Sequence, residues 1–310
     1  MGGIEWGPAD DNESVAAIRN AIAAGVNWID TASVYGFGRS ERVLRRALAP
    51  YVVGEDVYVF TKCGLLWNHS GVIRTDLRPS SIRNECEASL QRLGVERIDL
   101  YQVHWPDWAT GTPIEESWGT LGELLDEGKV RWIGLSNVDL SLLERCEAVR
   151  HVDSLQPPLS LLQRGACSEL IPWAQKTGTG VIVYSTLASG LLSGTFDRAR
   201  LNALPPNDWR REYKAFQEPK FSEALELVNG LGPIVEQLGT EISTLAVAWA
   251  LSIAGVTGAI VGVRTRNHVR GWMEAADLEL DADVLAEIDR VLAWTGAGDD
   301  DPPPTGPWPT

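Results

Sequence analysis

The feature that most restricts the fold of this chain is a repeat. A short, nearly continuous apolar run rich in β-branched residues is followed by a polar loop, then by a helix-period segment closed with Gly or Pro. The runs that read as strands are VNWIDTA from Val26, VYVFTK from Val57, IDLYQVH from Ile98, VRWIGLSN from Val130, SLQPPLS from Ser154, VIVYST from Val181 and AIVGV from Ala259. Such runs lack alternation because both faces of a parallel sheet are covered by helices. The segments between them have legible ends. Asn12 or Ser14 opens a helix with Val15, Ile18 and Ile22 on one face and Gly25 at its close; Ser40 precedes Val43, Leu44 and Ala47 before Pro50. Pro79 and Ser80 precede Ile82, Cys86, Leu90 and Leu93 before Gly94, and Pro113 opens a helix through Trp118, Leu121 and Leu125 that ends at Gly128.

The repeat predicts an α/β fold, a parallel (β/α)8 TIM-type barrel over residues 1–294. Its strand count is seven where a closed barrel has eight, and the first recognisable element is a helix. The first strand is therefore expected to be missing or truncated at the N-terminus, where MGGIEWG is short and Gly-rich. Between Leu187 and Lys220 the repeat lapses into a Pro-containing stretch, which in a compact barrel reads as a functional loop or lid. Residues 295–310 are acidic and Pro-rich with little to bury, so a disordered tail is expected.

A chain of 310 residues could equally be two domains, but no linker interrupts the repeat, and 44% hydrophobic residues suffice for one large core. The net charge of -15 opposes binding to nucleic acid or to an anionic membrane surface. No signal peptide and no membrane-spanning apolar run is recognisable, so a cytoplasmic protein is expected, with a monomer as the expected oligomeric state. Cys63, Cys86, Cys146 and Cys167 have no CxxC spacing, and His69 and His151 have no ligand-spaced partners; neither a disulfide framework nor a metal site is expected.

In a βα barrel the strand C-termini and the loops after them converge on one face, so residues far apart in sequence meet there. Asp30, Lys62 and His104 lie at the ends of three successive strands, and Tyr35 follows the first of them. Singly, Asp30 could cap a turn, Lys62 could be a solvated rim charge, Tyr35 a packed loop aromatic and His104 a hydrogen-bonded core histidine. Their convergence at one face favours a chemical site.

The ordered blocks GVNWIDTASVYGFGRSE, TKCG, DLYQVHWPD, IGLSN, QPPLSLLQR, YSTLASGLLSG and IVGVRT resemble the successive signature segments of the aldo-keto reductases, and WGPADDNES resembles the lead into that family's first helix. The resemblance implies reduction of an aldehyde or ketone by hydride from a nicotinamide cofactor. Tyr35 would be the proton donor, Lys62 its activating neighbour, Asp30 the partner of Lys62, and His104 a donor orienting the carbonyl. The electrostatics are reasonable. Drawing a phenol from pKa ~10 toward ~7 needs about 4 kcal/mol, and one ammonium at roughly 4 Å in an effective dielectric near 20 supplies about that.

The resemblance also implies a cofactor site. Ser136, Asn137 and Gln156 would meet the carboxamide, Tyr184 would stack on the nicotinamide, and the backbone near Ser185, Leu187, Gly190 and Leu191 would cradle the pyrophosphate. No GxGxxG fingerprint of a doubly wound fold occurs after a strand. Arg264 would meet a 2'-phosphate, so NADPH is the expected cofactor; His268 stands where the family often has Arg or Gln, and Gly271 and Trp272 replace the usual acid and amide near the adenine. Strand-end capping and packing are the alternatives for the carboxamide set, and solvated surface arginines for Arg266 and Arg270. Phe37, Trp67 and Trp105 follow the catalytic strands and could wall a pocket for a moderately apolar carbonyl substrate. Two other functions are weighed beside this one: a barrel aldolase using Lys62 as a Schiff-base nucleophile, and a non-catalytic, nicotinamide-binding redox-sensing partner of another protein.

Overall fold

A computed structural model describes residues 10–206, 208–263 and 266–298, apart from the side chains of Arg266, Asn267, His268 and Arg270. The chain runs α1 (Asp11–Ala23), β1 (Trp28–Asp30), α2 (Arg39–Leu48), β2 (Tyr58–Cys63), β3 (Leu65–Trp67), β4 (Ile73–Thr75), α3 (Pro79–Leu93), β5 (Ile98–Val103), α4 (Ile114–Asp126) and β6 (Val130–Ser136). It continues through α5 (Leu140–Val149), β7 (Ser154–Gln156), α6 (Leu170–Thr177), β8 (Gly180–Val183), α7 (Arg198–Asn202), α8 (Lys220–Gly230), α9 (Gly232–Leu238), α10 (Ile242–Ser252), β9 (Val256–Ala259), α11 (Arg266–Met273) and α12 (Ala282–Thr295).

Seven strands form one curled, all-parallel sheet in the order β1-β2-β5-β6-β7-β8-β9, with β1 and β9 at its edges. This is the βα barrel read from the repeat, with seven of eight strands among the described residues; the N-terminal segment in which a truncated first strand was expected, residues 1–9, lies outside them. The helical layer is more nearly continuous than the sheet, since α1 packs against both α2 and α11. A Cβ on Gly258 would stand 3.0 Å from the Trp28 ring, so the two edge strands approach each other through that indole.

Strand geometry sorts side chains by parity. In β2, Val59 and Cys63 join the core beneath the helices with Leu44, Ile82 and Leu90, while Lys62 lies on the opposite, inward face with Phe60, which stacks on Trp28 at 5.1 Å. Helix α3 follows its sequence signals closely: Pro79 opens it, Ile82, Cys86, Leu90 and Leu93 are buried, and Gly94 closes it at φ 71°. Gly134 in β6 is needed for space, because a Cβ there would lie 2.8 Å from the Ser154 carbonyl oxygen of the neighbouring strand.

Two expected strands are shorter or displaced. Only Ser154–Gln156 of SLQPPLS enters the ladder, because Pro157 and Pro158 have no N–H to donate; the chain stays beside β8 through a bond from Leu159 N–H to the Tyr184 carbonyl, 2.9 Å. The last strand ends at Ala259 rather than beginning there, since its register pairs Ala259 with Val183 at the end of β8, and later residues have run past their partner. A short antiparallel hairpin, β3 with β4, was not legible in the repeat.

The segment from Leu187 to Lys220 is folded rather than structureless. It holds α7 and three short 3-10 segments around a small core of Leu191, Phe196, Phe216 and Phe221. At the other end, α12 runs to Thr295, and Ala297 is buried with its carbonyl accepting a bond from Arg164, 3.2 Å. Residues 299–310 of the expected tail lie outside the described residues. Among the described residues, no helix is long and apolar enough to cross a membrane.

Candidate active site

The strand ends deliver Asp30, Lys62 and His104 to one place. β1 and β2 pair Asp30 with Phe60, and β2 and β5 pair Lys62 with Gln102, so the inward parity of both strands is shared. Lys62 is 1% exposed; its Nζ donates to Asp30 Oδ2 in a very short contact and to the Thr31 carbonyl at 2.9 Å. The other Asp30 oxygen accepts from Gln156 Nε2 at 3.1 Å and from Gln102 Nε2 at 3.4 Å, and Gln156 Nε2 also donates to Gln102 Oε1 at 3.2 Å. Burial pushes the Lys62 ammonium pKa down, while the charge and hydrogen bond of Asp30 pull it back up.

Tyr35 is presented by a tight loop. Its N–H donates to the Ala32 carbonyl and its own carbonyl accepts from Ser40, while Gly36, Phe37 and Gly38 all have positive φ. That left-handed run turns the chain directly into α2. The Lys62 Nζ lies 5.7 Å from the centroid of the Tyr35 ring, and the His104 ring meets Tyr35 edge-on at 5.6 Å.

His104 is held by its backbone, with the N–H donating to the Cys63 carbonyl and the carbonyl accepting from Asn137 Nδ2 at 2.9 Å. Burial first, and then the Lys62 charge, hold its imidazole pKa well below the usual value. The ring is therefore neutral near pH ~7, with one N–H to donate. This has a consequence for stability. Between the depressed folded value and about 6.5, the unfolded chain binds a proton that the folded one does not, so stability is lost as pH falls through that window. We expect up to about 1.4 kcal/mol per pH unit from this residue. Urea midpoints of wild type and His104→Gln between pH ~7 and ~5 measure it; equal slopes in the two proteins would refute the assignment.

The second half of the site continues from His104. Asn137, at φ 57° just past β6, donates to Ser136 Oγ at 3.1 Å, and Ser136 Oγ donates to the Gln156 carbonyl at 2.9 Å. The Tyr184 hydroxyl donates to Asn137 Oδ1 at 2.6 Å, and burial, then the neighbouring Tyr35 and Tyr213 hydroxyls, raise its pKa. Beyond Tyr184 the chain takes positive φ at Ser185, Ala188, Ser189 and Gly190. The Ala188 and Gly190 N–H groups donate to the Ser185 and Leu187 carbonyls at 2.8 and 2.9 Å, which folds this left-handed run into tight turns. The Leu191 side chain is buried in the small core of the 187–220 segment, which leaves its backbone for any contact.

Near Tyr35, Ala32, Val34, Leu65 and Trp105 form a satellite apolar cluster on which Tyr35 and Trp67 pack. Phe37 stacks on Trp67 at 5.6 Å, an arrangement made by the unforeseen hairpin, since β3 ends at Trp67. Trp105 is 3% exposed and touches Trp108 at 5.7 Å. Arg264 lies outside the described residues, and His268 is described only as part of α11.

The model of the aldo/keto reductase family matches residues 1–293. The chain belongs to that family. Among its relatives, an aldo-keto reductase of Bacillus subtilis (strain 168), YhdN, is 34% identical over 293 residues, covering 94% of this chain and 87% of the relative. An NADH-specific methylglyoxal reductase of Escherichia coli (strain K12) is also 34% identical, over 305 residues, covering 94% and 92%. Of solved structures, a glycerol dehydrogenase of Gluconobacter oxydans superposes with a TM-score of 0.87 at 36% identity, covering 96% of this chain and 90% of that one. An aldo/keto reductase of Klebsiella pneumoniae, solved with NADP and acetate, superposes with a TM-score of 0.69 at 25% identity, covering 91% and 85%.

In this aldo-keto reductase the donor set suits a nicotinamide. The Asn137 amide lies between the Ser136 and Tyr184 hydroxyls, Gln156 ends the adjoining strand β7, and the left-handed run at residues 188–190 follows Tyr184. Among the described residues no group of three or more His, Cys, Asp or Glu could hold a metal ion. Two contributors escaped the sequence reading: Gln102 and the Thr31 carbonyl. Gln102 did leave a signal, an amide inside an apolar strand two residues before His104 and so on the same face.

Proposed function

We propose that this aldo-keto reductase uses NADPH to reduce an aldehyde or ketone to an alcohol, with Tyr35 as the proton donor. The observation that carries this reading is the stack of a buried Lys62–Asp30 pair beneath the Tyr35 ring with the neutral His104 edge beside it. When bound, the dihydronicotinamide supplies the hydride to the carbonyl carbon. Tyr35 hands its phenolic proton to the oxygen as negative charge develops there, and the Lys62 ammonium stabilises the phenolate left behind. Asp30 keeps Lys62 charged and in place, while the neutral His104 N–H orients the carbonyl oxygen. Ser136, Asn137 and Gln156 would hold the carboxamide, Tyr184 the ring, and the backbone at Ser185, Leu187, Gly190 and Leu191 the pyrophosphate.

Phe37, Trp67 and Trp105 form an aromatic wall beside Tyr35 that favours a carbonyl compound with an apolar face. Two relatives are named for methylglyoxal and glycerol, so a screen of NADPH depletion should begin with three-carbon carbonyls and extend to larger aldehydes, ketones and keto-sugars. The aldolase reading loses ground because the Lys62 Nζ is engaged by Asp30 and the Thr31 carbonyl and is 1% exposed. The balance of charge, -15, suits a cytoplasmic protein without nucleic-acid or membrane partners, and we infer a monomer.

The cofactor preference has its own test, because one relative is NADH-specific while another was solved with NADP. A cation at Arg264 gains a charge-assisted contact with a 2'-phosphate, with His268 on the helix that follows. We expect NADPH to bind at least about tenfold more tightly than NADH, and Arg264→Ala to remove most of that difference. Fluorescence titrations with both cofactors measure it. Equal dissociation constants in the wild type would withdraw the NADPH assignment and leave carbonyl reduction standing.

A further inference from the structure

Helix α3 carries one residue that the reaction as proposed does not use. Its buried positions are Ile82, Glu85, Cys86, Ser89, Leu90 and Leu93, and Glu85 is 6% exposed among them. A residue that only packed the helix against the sheet would be apolar, as Ile82, Leu90 and Leu93 are. Instead, Glu85 Oε1 accepts the Gly64 N–H at 3.0 Å, and Ser33 Oγ stands 3.5 Å from Oε2. Gly64 lies two residues past Lys62, and Ser33 two residues before Tyr35.

We propose that Glu85 is a positioning residue: its single buried carboxyl group ties the turn that follows Lys62 to the loop that carries Tyr35, and so sets the distance between ammonium and phenol.

Both tethered points are constrained on their own side. Gly64 has φ +92°, and a Cβ there would come within 2.4 Å of Leu77 Cδ2, so this turn has one tolerated residue and one N–H orientation. The Ser33 carbonyl accepts the Gly38 N–H at 2.8 Å, which closes the loop around Tyr35. Displacing the carboxyl group therefore moves both ends, while the helix behind them remains.

The group also changes charge where the enzyme would work. Burial raises the Glu85 pKa to about 8, opposed by the Gly64 N–H, with Asp76 raising it further and Arg92 lowering it. Cys63 on β2 is coupled to it, as is Tyr101 on β5, and Arg92 is already paired with Glu41 at 2.5 Å. The neutral acid accepts from Gly64 and can donate its proton to Ser33; the carboxylate accepts from both. Each form keeps the tie, but the charge-assisted bonds of the carboxylate are stronger, so the turn and the loop are held more tightly above its pKa than below it. Turnover should therefore carry an inflection near pH ~8 that belongs to Glu85.

The proposal rests on the reading of Tyr35 and Lys62 as the reacting pair, and its test separates the two. Amide hydrogen exchange is measured on peptides covering residues 33–40 and 62–66 of the full chain, in wild type, Glu85→Gln and Glu85→Ala. Single-turnover reduction of methylglyoxal by NADPH is followed in the same proteins from pH ~6 to ~9.5. In Glu85→Ala, exchange should rise in both segments together by about tenfold or more. Its turnover should fall at least about tenfold, with the NADPH dissociation constant within about threefold of wild type. Glu85→Gln, which keeps both hydrogen bonds without the titration, should stay protected, react within about threefold of wild type at pH ~6.5, and lack the inflection near pH ~8. Exchange that rises in only one segment, or in neither, overturns the tie. So does a Glu85→Gln pH profile that superposes on wild type, and that criterion alone decides if the Ala variant fails to fold. If Tyr35→Phe proves fully active, the functional reading falls while the exchange result stands by itself.

Discussion

Tyr35→Phe should bind NADPH as the wild type does and turn over about 10²- to 10⁴-fold more slowly, the range that a general acid contributes. The expectation follows from what the substitution leaves intact. The ring keeps its packing on Ala32, Val34, Leu65 and Trp105 and its edge contact with His104, so the loop has no reason to move. Only the phenolic proton is lost, and only the transition state needs it. Stopped-flow single-turnover rates and cofactor titrations make the comparison. A variant that keeps more than about a tenth of the wild-type rate, a loss below about 1.4 kcal/mol, removes Tyr35 as proton donor.

Lys62→Met should damage both stability and turnover, and the two losses should respond differently to a second change. Lys62 and Asp30 are 1% and 5% exposed at the side chain, so removing the ammonium strands a buried carboxylate with only the Gln102 and Gln156 amides to solvate it. Breaking a buried pair in this way costs about 3–5 kcal/mol. Adding Asp30→Asn removes the stranded charge and should recover most of that stability, yet turnover should stay at least about a hundredfold below wild type because no cation faces Tyr35. Urea unfolding and steady-state assays on the single and double variants separate the effects. An unfolding midpoint for Lys62→Met equal to that of wild type would mean that the pair is not buried as described here. Recovery of turnover in the double variant would mean that Lys62 acts only through Asp30.

Much of this architecture was legible in the residues. Apolar runs without alternation announced strands covered on both faces, and Pro79 with Gly94 marked the ends of α3 to the residue. The positions of Asp30, Lys62 and His104 at successive strand ends were enough to bring them to one face. Less was legible where a local rule met a neighbour's constraint. SLQPPLS looked like a full strand until its two prolines withheld their N–H groups, and AIVGV looked like a strand until the register with β8 ran out at Ala259. The segment from Leu187 to Lys220 read as a functional loop or lid because its apolar residues follow no helix or strand period, although Leu191, Phe196, Phe216 and Phe221 find one another.

The sequence by itself determined the order of strands and helices, the inward or outward parity of each strand residue, and the kinship of the chain. These depend on spacing within a few residues, on periods of 2.0 and 3.6, and on blocks that keep their order. Tertiary structure alone decided which polar groups share a buried space. Asp30 takes its second set of hydrogen bonds from Gln156, 126 residues away, and Glu85 reaches back 52 residues to Ser33. Those meetings are set by the register of parallel strands and by the rotation of a helix over the sheet. Neither leaves a periodic trace in the chain, and burial then lowers the pKa of His104 and raises that of Glu85 by desolvation that no residue type carries on its own.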